Sequence, residues 1–256
     1  MTMDDVTQEL KRYYDDLAKN GYYATLAQYN RGGPKSRYVA ETFDAALLPL
    51  LKSERVPVRL LDFGCGTGIF TVKAQPYVKE IMGIDISPGL LDVARELAAK
   101  NGVEISFIQS DGGRLPFPDH AVNRVLAREV LCHVPDEAMA DILKDFGRIL
   151  EPMGKVYLLE QVSESPFWQR HPKTPLTRKR SVDELIDLFK TAGFELDSAV
   201  TVRQPRFFWI YLVWFRILPA FLIPLLARLE VMWNRRFCDL RTKRWQDALF
   251  VFHLLK

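Results

Sequence analysis

Three glycines spaced as GxGxG, Gly64, Gly66 and Gly68 of "LLDFGCGTGIF", follow an apolar run and precede a helical pattern. Glycine at these positions lets the backbone turn tightly and approach a ligand with no side chain in the way. The dinucleotide fingerprint would place its last glycine at Ile69, which disfavours NAD. A phosphate-binding loop needs Lys followed by Ser or Thr, and "GIFTVK" lacks that pair, which disfavours ATP and GTP. Asp85 ends the next apolar run, "GIDIS", where a carboxylate can accept from both hydroxyls of a ribose. Asp111, in "IQSDGGRLPF", can accept from an exocyclic amine such as that of adenine. Singly, each aspartate is equally a turn or helix-cap residue; in order after GxGxG they describe an adenosine pocket. Asp62 ahead of the turn, Cys65 within it, Gly112 beside Asp111 and Arg128 at a later strand end join the candidate cofactor-binding set.

Positioning these residues requires strands that end together. Apolar runs at Val58–Phe63, Glu80–Asp85, Glu104–Gln109, Asn123–Arg128 and Lys155–Gln161 alternate with helical patterns, the signature of βαβ units around a parallel sheet. In "SPGLLDVARELAAKNG", Ser87 caps, Pro88 takes the first helical position and Gly102 closes the end. In "SVDELIDLFKTAGF", Ser181 and Glu184 are expected to form a capping box, with Gly193 as the stop before a strand at Phe194. A final strand is predicted over Leu249–Leu255. With 256 residues, 48% of them hydrophobic, the chain can bury a sizeable core. Its 35 basic and 32 acidic side chains are too nearly balanced to imply nucleic-acid binding, and none is expected. Cys65, Cys132 and Cys238 show no CxxC pairing, so neither a disulfide framework nor a metal site is predicted. The polar, acidic start "MTMDDVTQEL" is unlike an export leader, so a cytoplasmic protein is expected.

The motifs "LLDFGCGTG", "GIDIS", "SDGGRLPFPDHAVNRVLAREVLCHV" and "LKDFGRILEPMGKVYLLEQ", together covering Val58 to Gln161, resemble those of class I S-adenosylmethionine-dependent methyltransferases, the group that includes the ubiquinone and menaquinone biosynthetic enzymes. The resemblance implies an α/β, Rossmann-like seven-stranded sheet with its last strand antiparallel and S-adenosyl-L-methionine as cofactor. Gly64, Gly66 and Gly68 would then lie at its methionine end, Asp85 on the ribose and Ile86 against the adenine. One departure is Met153 in "LEPMGK", where the family more often has a second glycine.

Methyl transfer from a sulfonium is an in-line displacement, so the protein mainly has to align the reactants and exclude water. A hydroxyl acceptor gains from a general base, and His133 in "REVLCHVPD", just past the fourth strand, is the candidate; its alternative is a turn cap before Pro135. Candidate acceptor-binding residues are Tyr14 and Tyr22 of a tyrosine-rich N-terminal segment, Glu160 at the end of the fifth strand, and His171 and Arg178 of the basic loop "RHPKTPLTRKR". Residues 1–40 are expected to form a helical cap, 41–204 the cofactor-binding core, 205–247 a hydrophobic helical insertion, and 248–256 the final strand.

The apolar stretch of the insertion, Phe207–Ala227, is long enough to span a bilayer, but Arg216, Pro219 and Pro224 interrupt it. A spanning segment would also separate the last strand from its sheet. A buried lid, a homodimer surface, or peripheral contact with the inner membrane face through 207–236 remain as alternatives. The expected activity is O-methylation of a sugar or lipid-linked glycan intermediate. A quinone or other lipophilic small molecule is the alternative acceptor, and a non-catalytic cofactor-binding partner subunit the alternative role.

Overall fold

The computed structural model describes residues 3–26, 33–169, 177–204 and 209–255. Strands β1 (Arg59–Phe63), β2 (Glu80–Asp85), β3 (Ser106–Gln109), β4 (Val122–Arg128), β5 (Leu150–Val162), β6 (Phe194–Arg203) and β7 (Gln246–Leu254) form one seven-stranded sheet in the order β3-β2-β1-β4-β5-β7-β6. β1 to β5 pair in parallel, and β7 runs antiparallel between β5 and β6. Both faces of the sheet are covered. Leu61, Val125 and Leu158 point to one core cluster, while their neighbours Leu60, Leu126 and Leu159 point to the other. That alternation makes the strands read as unbroken apolar runs.

Helices α1 (Met3–Ala18) and α2 (Pro34–Ser53) precede the sheet; α3 (Ile69–Ala74), α4 (Pro88–Lys100), α5 (Asp136–Ile149), α6 (Pro166–Gln169) and α7 (Val182–Thr191) connect its strands. The expected caps form locally: Ser87 Oγ accepts from Leu90 N–H at 3.1 Å, and Ser181 Oγ from Glu184 N–H at 3.1 Å. The Glu184 carboxylate does not complete a reciprocal box; it pairs with Arg178 at 2.6 Å, a stronger partner than a backbone amide. Met153 holds φ at 63°, the left-handed conformation that a glycine adopts without steric cost, which accounts for the glycine expected there.

One boundary, and the packing of the segment beyond β6, differ from the sequence reading. Helix α2 runs through residue 40 without a break and buries Val39, Ala40 and Phe43 against the sheet, so residue 40 falls inside a core helix. Beyond β6 lie α8 (Trp209–Trp214) and α9 (Ile223–Phe237). The inner face of α9 is part of the core, with Val231 packed in the same cluster as α2 and Asn234 Nδ2 donating to Val202 O at 2.9 Å. Among the described residues no helix is long and apolar enough to cross a membrane.

Glu230 of α9 is almost fully buried and accepts a hydrogen bond from the Tyr38 hydroxyl. Burial pushes its carboxyl up to about 7. A carboxylate raised in the fold contributes stability that is complete below its unfolded value and lost as pH rises through its folded one. The expected cost to the wild type between pH 5 and pH 8 is about 2 to 3 kcal/mol from this group, since a tenfold tighter hold on a proton is worth about 1.4 kcal/mol. Glu230→Gln, which mimics the protonated form, should lose correspondingly less stability over that range in urea titrations. Equal slopes in the two proteins would show that Glu230 is not held protonated.

Candidate active site

The glycine turn joins β1 to α3 at the end of the sheet where all the parallel strands finish. Gly64 and Cys65 donate their backbone N–H groups to Ile84 O at 2.8 and 2.9 Å, which ties the turn to β2. Gly64 and Gly66 hold φ at 71° and 56°. A Cβ on Gly64 would stand 2.4 Å from Val130 Cγ2, and one on Gly66 would stand 3.0 Å from Thr25 Cγ2, so the turn cannot carry side chains. Gly68 has another task. It caps α3 in the left-handed conformation, and its Cβ would meet Ala94 at 2.9 Å; it serves helix packing and does not line the cavity beside the turn. Asp62 is likewise absent from that lining: it is buried beneath the turn and accepts from the Thr71 hydroxyl at 2.7 Å, anchoring α3.

Asp85 stands across the turn. Its Oδ2 accepts from Gly66 N–H at 2.8 Å and its Oδ1 from Ser87 N–H at 3.0 Å. Burial lifts its carboxyl to about 6 despite these two bonds. Asp15 of α1, which the sequence reading missed, accepts from the Ser87 hydroxyl at 2.5 Å and Gly89 N–H at 3.1 Å, fastening the N-terminal segment to the start of α4. Asp85, Ile86, Asp111, Gly112, Cys65 and Arg128 all line one cavity of about 810 Å³, towards the upper end of the ~300–1,000 Å³ typical of small-molecule pockets. This half has the chemistry an adenosyl cofactor needs: a narrow glycine cradle, a buried carboxylate that can accept from hydroxyls, and the apolar Ile86 beside it.

The other half of the cavity gathers side chains that are distant in sequence. Tyr14 Oη lies 2.7 Å from His133 Nε2, and Thr177 Oγ1 lies 3.3 Å from His133 Nδ1. Burial holds the Tyr14 phenol well above its ordinary pKa, so it stays neutral. Glu129, Gln161, Lys179, Phe43 and Trp245 continue the lining. Glu129 is held at φ 50°, where a non-glycine residue is strained, and accepts from Gln161 Nε2 at 3.2 Å. Burial, reinforced by the charge of Asp247, lifts Glu129 to about 8. Lys179 is pushed down by burial.

Tyr14 and His133 therefore meet, while other expected acceptor residues do not reach the cavity. Tyr22 turns its ring outward, where its hydroxyl lies 3.4 Å from Glu96 Oε1; only its carbonyl faces the glycine turn, accepting from the Thr67 hydroxyl at 2.6 Å. Glu160 lies behind the loop after β4, where Oε1 accepts from Val130 and Leu131 N–H at 2.9 and 2.6 Å; it shapes the loop that presents His133. Arg178 is taken up by ion pairs with Asp136 and Glu184. His171 lies outside the described residues. Thr177, Trp245 and Phe43 carried no sequence signal, whereas Glu129 had one: an acidic residue directly after the apolar run of β4.

Residues 60–154 match the family model described as a methyltransferase domain. The chain is 34% identical over 112 residues to a demethylmenaquinone methyltransferase from Thermus thermophilus, covering 43% of this chain and 50% of that protein. It is 30% identical over 159 residues to ajmaline N-methyltransferase from Rauvolfia serpentina, covering 58% and 54%. The chain spans about half the length of the curated relatives it matches. Among solved structures, geranyl diphosphate C-methyltransferase from Streptomyces coelicolor A3(2), in complex with Mg2+, geranyl diphosphate and S-adenosyl-L-homocysteine, superposes with a TM-score of 0.62 at 15% identity, covering 86% of this chain and 83% of that one. The [4+2]-cyclase SpnF superposes with a TM-score of 0.61 at 20% identity, covering 83% and 81%. At such identities the likeness establishes the fold, and a cyclase among the neighbours is a reminder that fold does not fix reaction. With the strand order, the glycine cradle and the carboxylate at the end of β2 in place, the match identifies residues 60–154 as a methyltransferase domain on a Rossmann-like seven-stranded sheet.

Proposed function

We propose that the chain methylates a hydroxyl group of a lipophilic small molecule. The carrying observation is that one cavity holds both the Gly64–Gly66–Asp85 cradle and the Tyr14–His133 pair. S-adenosylmethionine supplies an electrophilic methyl group carried on a sulfonium. Asp85 would hold its ribose hydroxyls, Ile86 the adenine face and Asp111 the exocyclic amine, while α1, fastened by Asp15, closes the cavity against water. At rest His133 stands between Tyr14 and Thr177; it takes the proton from the acceptor hydroxyl when that hydroxyl displaces Tyr14, with Thr177 still on Nδ1.

Phe43, Trp245, Tyr13 and Leu10 give this half apolar and aromatic walls beside a polar set of Tyr14, Glu129, His133, Gln161, Thr177 and Lys179. The aromatic and apolar walls suit the faces of a flat ring with oxygen substituents, as in a quinol, and leave the polar side chains to meet those oxygens. The similarity to demethylmenaquinone methyltransferases supports the same choice over a sugar or lipid-linked glycan.

The test is formation of S-adenosylhomocysteine, with mass spectrometry of the product, across a panel of quinols, phenols, nucleotide sugars and lipid-linked sugars. A quinol or phenol gaining one methyl group is the expected result. Methylation of sugars alone would return the assignment to the glycan acceptor, and cofactor binding without turnover on any class would favour a non-catalytic partner subunit.

A further inference from the structure

Helix α9 is apolar on two opposite faces, and the fold uses only one of them. Ile223, Ala227, Val231 and Asn234 turn inward, with Ile223 packed on Tyr38 and Val213. Leu225, Leu229, Met232 and Trp233 recur at helical spacing on the outward side and are exposed, from 46% for Leu229 to 65% for Met232. Ile217 and Phe221, just before the helix, and Phe237 at its end extend the same exposed surface. Most of the exposed large hydrophobic side chains among the described residues fall between Tyr211 and Phe237. An apolar area this concentrated marks an interaction surface.

Charge selects the occupant. Arg216, Arg228 and Arg236 are exposed along this segment, Arg235 is turned back to donate to Ala46 O of α2 at 3.0 Å, and the one acidic residue, Glu230, is buried against Tyr38. On the helical wheel Arg228 borders the outward apolar stripe, and Arg236 lies within it with its guanidinium over the Phe237 ring, 5.9 Å from its centroid. Apolar and aromatic side chains bordered by arginines, with no exposed acid among them, complement a surface that is hydrophobic within and anionic at its boundary. A second copy of this chain would instead set the same arginines against one another.

We propose that the outward face of Ile217–Phe237 docks on an anionic lipid bilayer. The placement also orients the cavity. Val213 and Ile223 pack against Tyr38 in the N-terminal half of α2, and Phe43, little more than one turn further along α2, lines the cavity. The docked face thus begins beside the end of the sheet where the cavity lies, and docking brings that end to the lipid interface. The proposal stands independently of the methyl acceptor, because binding is read without turnover.

The experiment is co-sedimentation of the full chain with vesicles of phosphatidylcholine alone or mixed with phosphatidylserine, from about 0.15 M to about 1 M salt, over which the Debye length falls from about 8 to about 3 Å. Binding should be at least about tenfold stronger on the mixed vesicles and weaken as salt rises. Leu225→Glu with Leu229→Glu, and separately Arg228→Glu with Arg236→Glu, should each reduce it by about tenfold or more, with circular dichroism and cofactor affinity unchanged because these side chains are exposed. Absence of binding to the mixed vesicles, or binding that both folded variants retain, overturns the proposal. A dimer in sedimentation equilibrium that Leu225→Glu with Leu229→Glu dissociates, without vesicle binding, overturns it too and assigns the face to a second copy.

Discussion

Asp85→Ala should weaken S-adenosylmethionine binding at least about 100-fold in calorimetry, because two ribose hydroxyls lose a charged acceptor worth about 1.5 to 3 kcal/mol per hydrogen bond. The substitution also orphans the N–H groups of Gly66 and Ser87, which the carboxylate now holds at 2.8 and 3.0 Å, so the glycine turn loses its brace along with the ligand. A pH series separates this role from general damage. Burial lifts Asp85 to about 6, and the ionised form is the better acceptor for the ribose. Wild-type affinity should therefore be flat above neutrality and fall about tenfold by pH 5, where only about a tenth of the carboxyl is ionised. Residual binding by Asp85→Ala should lack that fall. Wild-type affinity in the variant would sink the assignment of this half of the cavity, and NAD should give no binding heat with the intact protein.

The half of the cavity around the glycine turn was legible in the sequence because its signals are local. A glycine turn after a buried strand, and an acid at the end of the next strand, are set by neighbours a few residues away, and β2 falls where its apolar run predicted. Gly68 and Asp62 belong to the same motif, and in the structure Gly68 packs closely on Ala94 and Asp62 anchors α3 through Thr71. A motif preserves positions without saying which of them face the ligand. The acceptor half assembles Tyr14, Phe43, Glu129, Gln161, Thr177 and Trp245 from six separate parts of the chain, and their meeting depends on how β7 threads between β5 and β6. Glu160 and Gln161 illustrate the difficulty. They are adjacent on one strand, so their side chains point to opposite faces, and only Gln161 lines the cavity. The apolar stretch divides into α8 and α9 because Pro219 falls between them, while Pro224 takes the first turn of α9, and the buried Glu230 marks the side of α9 that packs on α2.

His133→Ala should lower turnover by about 100- to 10,000-fold while cofactor affinity stays within a few-fold of wild type, the range over which removal of a general base acts. Both ring nitrogens of His133 are already engaged by hydroxyls of the chain, Nε2 by Tyr14 at 2.7 Å and Nδ1 by Thr177 at 3.3 Å. An acceptor hydroxyl can thus reach the imidazole only by displacing one of them, and Tyr14, on the N-terminal helix, is the partner that can be displaced without moving the sheet. The phenol cannot itself serve as the resting base, since burial holds it well above its ordinary pKa and keeps it protonated. Tyr14→Phe should accordingly cost no more than about tenfold in turnover, the value of one orienting hydrogen bond. A Tyr14→Phe loss as large as that of His133→Ala would instead route the proton through the phenol to the imidazole. Turnover within a few-fold of wild type in His133→Ala would make the histidine structural. The base would then be sought at Glu129, which burial lifts to about 8 and which the strained backbone at φ 50° turns into the same cavity; Glu129→Gln should then remove the turnover that His133→Ala had left intact.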